Sequence, residues 1–230
     1  YAICRETLGQ QHPEVAHALI PLGNLYFDLC KYKEAIVFYA EARTILTKVF
    51  DDKHPQVAFL MQCLANCQME LGLFKEAEVL YRNALALQQE KLGIEHPQTA
   101  VTLNNLANLL TVQGLFEEAK NYYEQSLKIK EGFFGFDNRH TAITMSNYAT
   151  LEKSLGNYAK ADKLFNESIS IYENAFSPIF LNAANTYFGY AGLLHETAEL
   201  DLSKDMHLKS LSIRSKQLEN EHPHMANSFH

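Results

Sequence analysis

The sequence predicts an all-α chain, a solenoid of stacked antiparallel helix hairpins. Three observations predict it: a His-Pro pair that returns on a 42-residue period, an apolar stripe at helical spacing behind each pair, and a glycine midway through each unit. The pair stands at 12–13, 54–55, 96–97 and 222–223, at intervals of 42, 42 and three times 42. Two copies are missing, at Asn138-Arg139 and Phe180-Leu181, yet Ala16, Ala58, Ala100, Ala142, Ala184 and Ala226 hold the count without insertion or deletion. Regularity of this kind marks a repeat array. Five units are expected at 12–53, 54–95, 96–137, 138–179 and 180–221, flanked by the end of a truncated repeat at 1–11 and the start of another at 222–230.

The third unit justifies each element in turn. Proline at 97 suits the first position of a helix, where its missing N–H has no partner to lose and its φ is already helical. The preceding His is read as a cap or as a packing residue between repeats rather than a ligand, because its copies lie in successive units. Ala100, Leu103, Leu106, Ala107 and Leu110 then recur at three and four, the stripe of an amphipathic helix. Gly114, like Gly72 and Gly156, ends that helix with a positive φ and hinges the hairpin. Phe116, Ala119, Tyr123, Leu127 and Ile129 carry the second helix. The aligned positions Ala35, Ala77, Ala119, Ala161 and Ser203 place small residues where two helices approach closely, followed by Tyr39, Tyr81, Tyr123 and Phe165.

From the start of the fourth unit onward the pattern drifts: "EGFFGFDNRH" loses His-Pro and gains Phe133 and Phe136, and "AFSPIFLNAANTYFGY" moves its proline to 178. Either change marks a contact surface, or Ser177-Pro178 starts a helix and the aromatics staple it to a neighbour.

Composition narrows the function. Lys plus Arg number 20 against 27 Asp plus Glu, a formal charge of -7 with no basic cluster, so a nucleic-acid partner is not expected. Apolar runs stop well short of the ~18 to 20 residues that span a bilayer, and no membrane partner is expected. No signal peptide is legible at the N-terminus. Four cysteines at 4, 30, 63 and 67 lack the density of a disulfide scaffold, which favours a reducing, cytoplasmic setting. Cys63 and Cys67 share a helix face but have no further ligand nearby, so buried thiols are preferred over a metal site, and no metal or cofactor is expected. Asn166-Glu167-Ser168 matches the glycosylation triplet inside a predicted helix and is read as coincidence. Phosphate loops and the hydrolase and protease motifs are missing, and acid pairs such as Glu117-Glu118 are read as solvated, so catalysis is not expected.

Leu64-Ala65, Gly72, Phe74, Ala77, Tyr81 and Ala84, repeated at 42-residue offsets, resemble the tetratricopeptide repeat (TPR). The phrase "LGIEHPQTAVTLNNLANLL…GLFEEAKNYYEQSLKIKEG" is similar to the 42-residue version found in kinesin light chains. The resemblance implies a right-handed superhelix whose first helices line a concave, peptide-holding groove. It assigns His17, Ile20, Asn24, Phe27 and Asp28 to that groove in the first unit, and Phe59, Gln62, Asn66, Met69 and Glu70 in the second. Val101, Asn104, Asn108, Thr111 and Val112 follow, then Ile143, Ser146, Thr150, Lys153 and Ser154, then Asn185, Phe188, Gly192, His195 and Glu196.

Asn is suited to a groove because its amide both donates to and accepts from a ligand main chain, although an exposed Asn also serves simply by binding water. Asp28, Glu70 and Glu196 against Lys153 leave the stripe acidic by two charges, unlike the basic grooves the resemblance implies. The expected partner is therefore a neutral to basic peptide or protein segment anchored on Phe27, Phe59, Met69 and Phe188. The expected function is a non-catalytic interaction scaffold, adaptor-like as in kinesin light chains; the alternative is a structural adaptor using its convex or edge surface, with contacts through the truncated ends.

Overall fold

The computed structural model describes residues 2–174 and 181–217. Among these residues the chain forms eleven α-helices and no strand: α1 Ala2–Leu8, α2 Pro13–Asp28, α3 Tyr32–Phe50, α4 Pro55–Glu70, α5 Phe74–Lys91, α6 Pro97–Val112, α7 Phe116–Phe134, α8 Arg139–Ser154, α9 Tyr158–Asn174, α10 Leu181–Glu196 and α11 Leu200–Gln217. Each 42-residue period thus carries one helix pair. The sequence features at Pro178, at the His222-Pro223 pair, at Ala226 and throughout 222–230 lie outside the described residues.

The helices form two compact units, Tyr1–Tyr122 and Tyr123–His230, with the division inside α7. In the first unit α2 packs on α3, α3 on α4, α4 on α5 and α5 on α6. In the second, α8 packs on α9, and α10 on both α9 and α11. Val15, Leu19, Tyr39, Ile45, Leu46, Leu60 and Cys67 centre the first core, and Met145, Phe165, Ile169, Tyr187 and Leu194 are buried in the second. The alanines that mark the period are where backbones meet: Ala16, Ala58, Ala35 and Ala77 in the first unit and Ala142, Ala184 and Ala161 in the second are fully buried.

Helix starts follow from the sequence signal. His12, His54 and His96 hold extended backbone before each proline, and their Nδ1 atoms accept the N–H of Glu14, Gln56 and Gln98 at 3.2, 3.3 and 3.2 Å. Where His-Pro is lost, Asn138 Oδ1 accepts from the His140 N–H at 2.9 Å. The imidazole is therefore a cap, one acceptor for one orphan donor.

First helices end in a left-handed turn. Gly72 has φ +75° and donates to the Met69 carbonyl at 3.0 Å, while the Leu73 N–H reaches Gln68 at 2.9 Å, the paired bonds of a Schellman motif. Gly114 and Gly156 repeat the φ, and the same position in the two remaining hairpins is held by Cys30 at φ +56° and Ala198 at φ +65°.

Candidate functional site

The first helices α2, α4 and α6 carry the expected stripe in the first unit, and α8 and α10 carry it in the second. The stripe divides by depth. Gln62, Asn104 and Ser146 are only 7%, 4% and 8% exposed. Gln62 Oε1 accepts from the Thr102 hydroxyl at 2.9 Å, and Ser146 Oγ accepts from the Thr186 hydroxyl at 3.0 Å. Each pair joins one first helix to the next. Gln62 and Ser146 therefore tie repeats together, and none of the three side chains offers itself freely to solvent.

The remaining positions of the first unit range from half-buried to exposed. Asn24 is exposed, and its Oδ1 accepts from the Tyr39 hydroxyl at 2.7 Å. Asn66, half-buried, takes the Tyr81 hydroxyl on Oδ1 at 2.5 Å and Asn105 Nδ2 on the same atom at 3.1 Å. Asn104 donates in turn to Asn105 Oδ1 at 3.1 Å. Asn108 is half-buried. Gly23 makes the first of these contacts possible: a Cβ there would lie 2.4 Å from the Tyr39 ring. Phe27 and Phe59 are half-buried against the core, Phe27 meeting Tyr32 edge-on at 5.3 Å. Met69 Sδ lies 4.0 Å from the Tyr81 hydroxyl.

Both tyrosines hold their protons firmly. Burial pushes the Tyr39 hydroxyl well above its ordinary value, with Cys63, Cys67 and Asp28 adding to it. Burial does the same for Tyr81, helped by Glu70, Cys63 and Cys67. Loss of water also raises the Glu70 carboxyl, opposed by a hydrogen bond from the Tyr32 hydroxyl.

In the second unit Lys153 pairs with Glu196 at 3.4 Å, so the stripe's one cation is neutralised locally. The stripe's other two acids, Asp28 and Glu70, both stand in the first unit. Asn185 is exposed and accepts from Arg214 Nη2 at 3.0 Å. The Arg214 guanidinium also lies over the Phe188 ring at 5.1 Å, with the His207 ring edge-on at 5.3 Å. Tyr39, Tyr81, Asn105 and Arg214 are absent from the sequence-derived stripe because all four bear on it from outside the chosen positions; for the two tyrosines, their recurrence 15 residues after Asn24 and Asn66 was the available signal.

Other expectations resolve locally. Cys63 and Cys67 are buried, and burial pushes each thiol up to about 12, the mark of packing rather than reactive sulfur. Ser168 of the glycosylation triplet is fully buried and donates to the Ala142 carbonyl at 2.9 Å inside the helical segment. Glu118 is not simply solvated: it accepts from Arg82 at 2.9 Å and from the Tyr122 hydroxyl at 3.2 Å. Phe133 and Phe136 remain 63% and 46% exposed, and Phe134, between them, stacks on His140 at 4.8 Å. The aromatic cluster at the junction of α7 and α8 therefore combines a staple with an exposed apolar edge. Among the described residues no helix is long and apolar enough to cross a membrane.

Comparison with known proteins agrees with this architecture. One family model described as the tetratricopeptide repeat matches residues 57–132 and 107–174, and a second with the same description matches residues 15–56. No curated protein matches the sequence significantly. Among solved structures, BtubC (BKLC) from P. vanneervenii superposes with a TM-score of 0.73 at 17% identity, over 94% of this chain and 85% of that one. A Podosopora anserina putative kinesin light chain with nearly identical TPR-like repeats gives 0.68 at 19% identity, over 89% and 97%. NprR in complex with its cognate peptide NprX gives 0.73 at 20% identity, over 92% of this chain and 58% of that one.

Proposed function

Because the chain belongs to the tetratricopeptide repeat family, we propose that it is a non-catalytic interaction scaffold that receives an extended peptide or partner segment along its first helices. The observation that carries this reading is the set on α2 and α4, where Asn24, Phe27 and Asp28 recur as Asn66, Met69 and Glu70 one period later. Each set offers an amide, an apolar anchor and a carboxylate within two turns of helix. The ligand is neutral to basic, since Asp28 and Glu70 repel acidic segments and attract cationic ones. The likeness to NprR, whose structure contains a bound peptide, supports the class of ligand. A cargo-adaptor role like that of kinesin light chains is the extension of this reading.

Three peptides of equal apolar content, one basic, one neutral and one acidic, test it by titration calorimetry. The basic peptide should bind most tightly, and Glu70→Gln should narrow its advantage. An acidic peptide that binds more tightly than its neutral counterpart contradicts the reading.

One observation favours a second function, a structural adaptor working through the second helices. Val37 and Val79, one period apart on α3 and α5, are 61% and 59% exposed. Val37→Lys with Val79→Lys abolishes partner binding in that case and leaves peptide affinity intact.

A further inference from the structure

We propose that Tyr39 and Tyr81 are positioning residues that make Asn24 and Asn66 one-sided donors, so that the first unit reads main-chain carbonyls of an extended basic peptide. The inference deepens the receptor reading above and rests on it.

A free asparagine amide is ambidextrous, able to turn either its oxygen or its nitrogen toward a ligand. These two are not free. Tyr39 and Tyr81 are 3% and 1% exposed, so each hydroxyl proton must find an acceptor inside the protein or lose hydrogen-bond energy outright. The Asn24 oxygen receives one at 2.7 Å and the Asn66 oxygen the other at 2.5 Å. Reversing either amide would set two donors against each other and strand a buried proton. Asn105 adds a second donor to the Asn66 oxygen at 3.1 Å, and Asn104 fixes Asn105 in the same sense. The Nδ2 hydrogens of Asn24 and Asn66 are left unspent at one exposed and one half-buried position.

What these donors accept is narrowed by their neighbours. Asp28 follows Asn24 by four residues and Glu70 follows Asn66 by four, placing a carboxylate one turn along the same helix face. An anionic acceptor is repelled there, whereas a neutral carbonyl flanked by a Lys or Arg side chain satisfies both groups. The later periods lack the combination: Asn108 is followed by Val112, Thr150 by Ser154 and Gly192 by Glu196. Recognition by paired amide and acid therefore belongs to the first unit.

The probe is a short basic peptide selected from a random display library on the wild-type protein, resynthesised with one backbone carbonyl oxygen at a time replaced by sulfur, a weaker acceptor. For the wild type, sulfur at two positions should weaken binding about 5-fold each, the factor of one net hydrogen bond. In Tyr39→Phe with Tyr81→Phe that oxygen-to-sulfur ratio should fall below about 2-fold, with the helical circular dichroism unchanged. Asn66→Asp keeps the acceptor for Tyr81 and removes the donors, so its ratio at the Asn66 position should fall to about 1 whatever the added charge does to affinity. That variant carries the test even if the tyrosine pair fails to fold.

A wild-type ratio near 1 at every position, with Asn66→Ala still weakening binding, overturns the donor assignment and spares the receptor. Selected peptides whose affinity is indifferent to Asn24, Asn66, Phe27 and Met69 overturn the receptor reading and this inference together.

Discussion

The Thr102 hydroxyl donates to Gln62 Oε1 at 2.9 Å, joining α6 to α4 at a point where Gln62 is 7% and Thr102 0% exposed. Gln62 stands on the stripe that the sequence assigns to ligand, yet it spends its oxygen on the next repeat. Gln62→Ala should accordingly cost stability rather than affinity. Leaving a buried hydroxyl without its acceptor is worth about 2 kcal/mol, read as a lower urea midpoint, while the basic peptide binds within 2-fold of wild type. A peptide-binding loss without a stability loss contradicts the assignment.

The helix caps predict a conservative exchange that size and charge alone would not. His54 Nδ1 and Asn138 Oδ1 perform one task, each accepting the backbone N–H two residues on. His54→Asn should leave stability unchanged, whereas His54→Ala should lose about 1 kcal/mol. Equal losses in the two variants would mean that stacking of the His54 ring on Phe50, 4.6 Å away, is what the histidine supplies.

Two hinges carry the wrong residue for their backbone. Cys30 and Ala198 hold φ of +56° and +65° where the other hairpins use glycine, a conformation that costs an L-residue about 1 to 2 kcal/mol. Cys30→Gly and Ala198→Gly should each raise the denaturation midpoint. Conversely, Gly114→Ala should lower it by about 1 kcal/mol through backbone strain alone, since a Cβ there meets nothing within 4 Å. A destabilised Ala198→Gly would indicate that the methyl group packs usefully.

Lys130 gives the fold a pH signature. The residue is 3% exposed, its ammonium donates to the Thr144 hydroxyl at 2.7 Å, and burial lowers its pKa from 10.5 to about 8. Below pH 8 both folded and unfolded chains carry the proton, and the full cost of burying it, about 3 kcal/mol, is present. Between 8 and 10.5 the folded form releases its proton first, so stability contributed at this site rises with pH. Lys130→Met should thus be more stable than wild type at pH 7, with the difference shrinking toward pH 10. A difference that grows with pH contradicts the account.

The sequence displayed the fold because its strongest signals are local. A proline behind a capping histidine opens the helix, a left-handed residue closes it, and the alanine columns fix where backbones meet. The site was legible only in part, because a helix face is broad and its two margins meet different neighbours. Asn24 and Gln62 look equivalent as polar groove residues, but one reaches back to Tyr39 in its own hairpin and the other sideways to Thr102 in the next repeat. Glu152 makes the same point from the core. It stands where the two neighbouring periods carry Leu110 and Leu194 and is fully buried, and only the structure reveals Lys160 and Asn157 each 2.7 Å from its carboxylate. A pairing that does not recur with the period, such as Glu152 with Lys160, leaves no mark in a one-dimensional pattern.

The central claim, a peptide receptor on the first helices of the first unit, is tested most directly by titrating isotope-labelled protein with the basic peptide and following amide and methyl resonances. Saturable shifts centred on Asn24, Phe27, Asn66 and Met69, with Val37 and Val79 unmoved, are the predicted result. Shifts centred on Val37 and Val79 with the asparagines silent would contradict it.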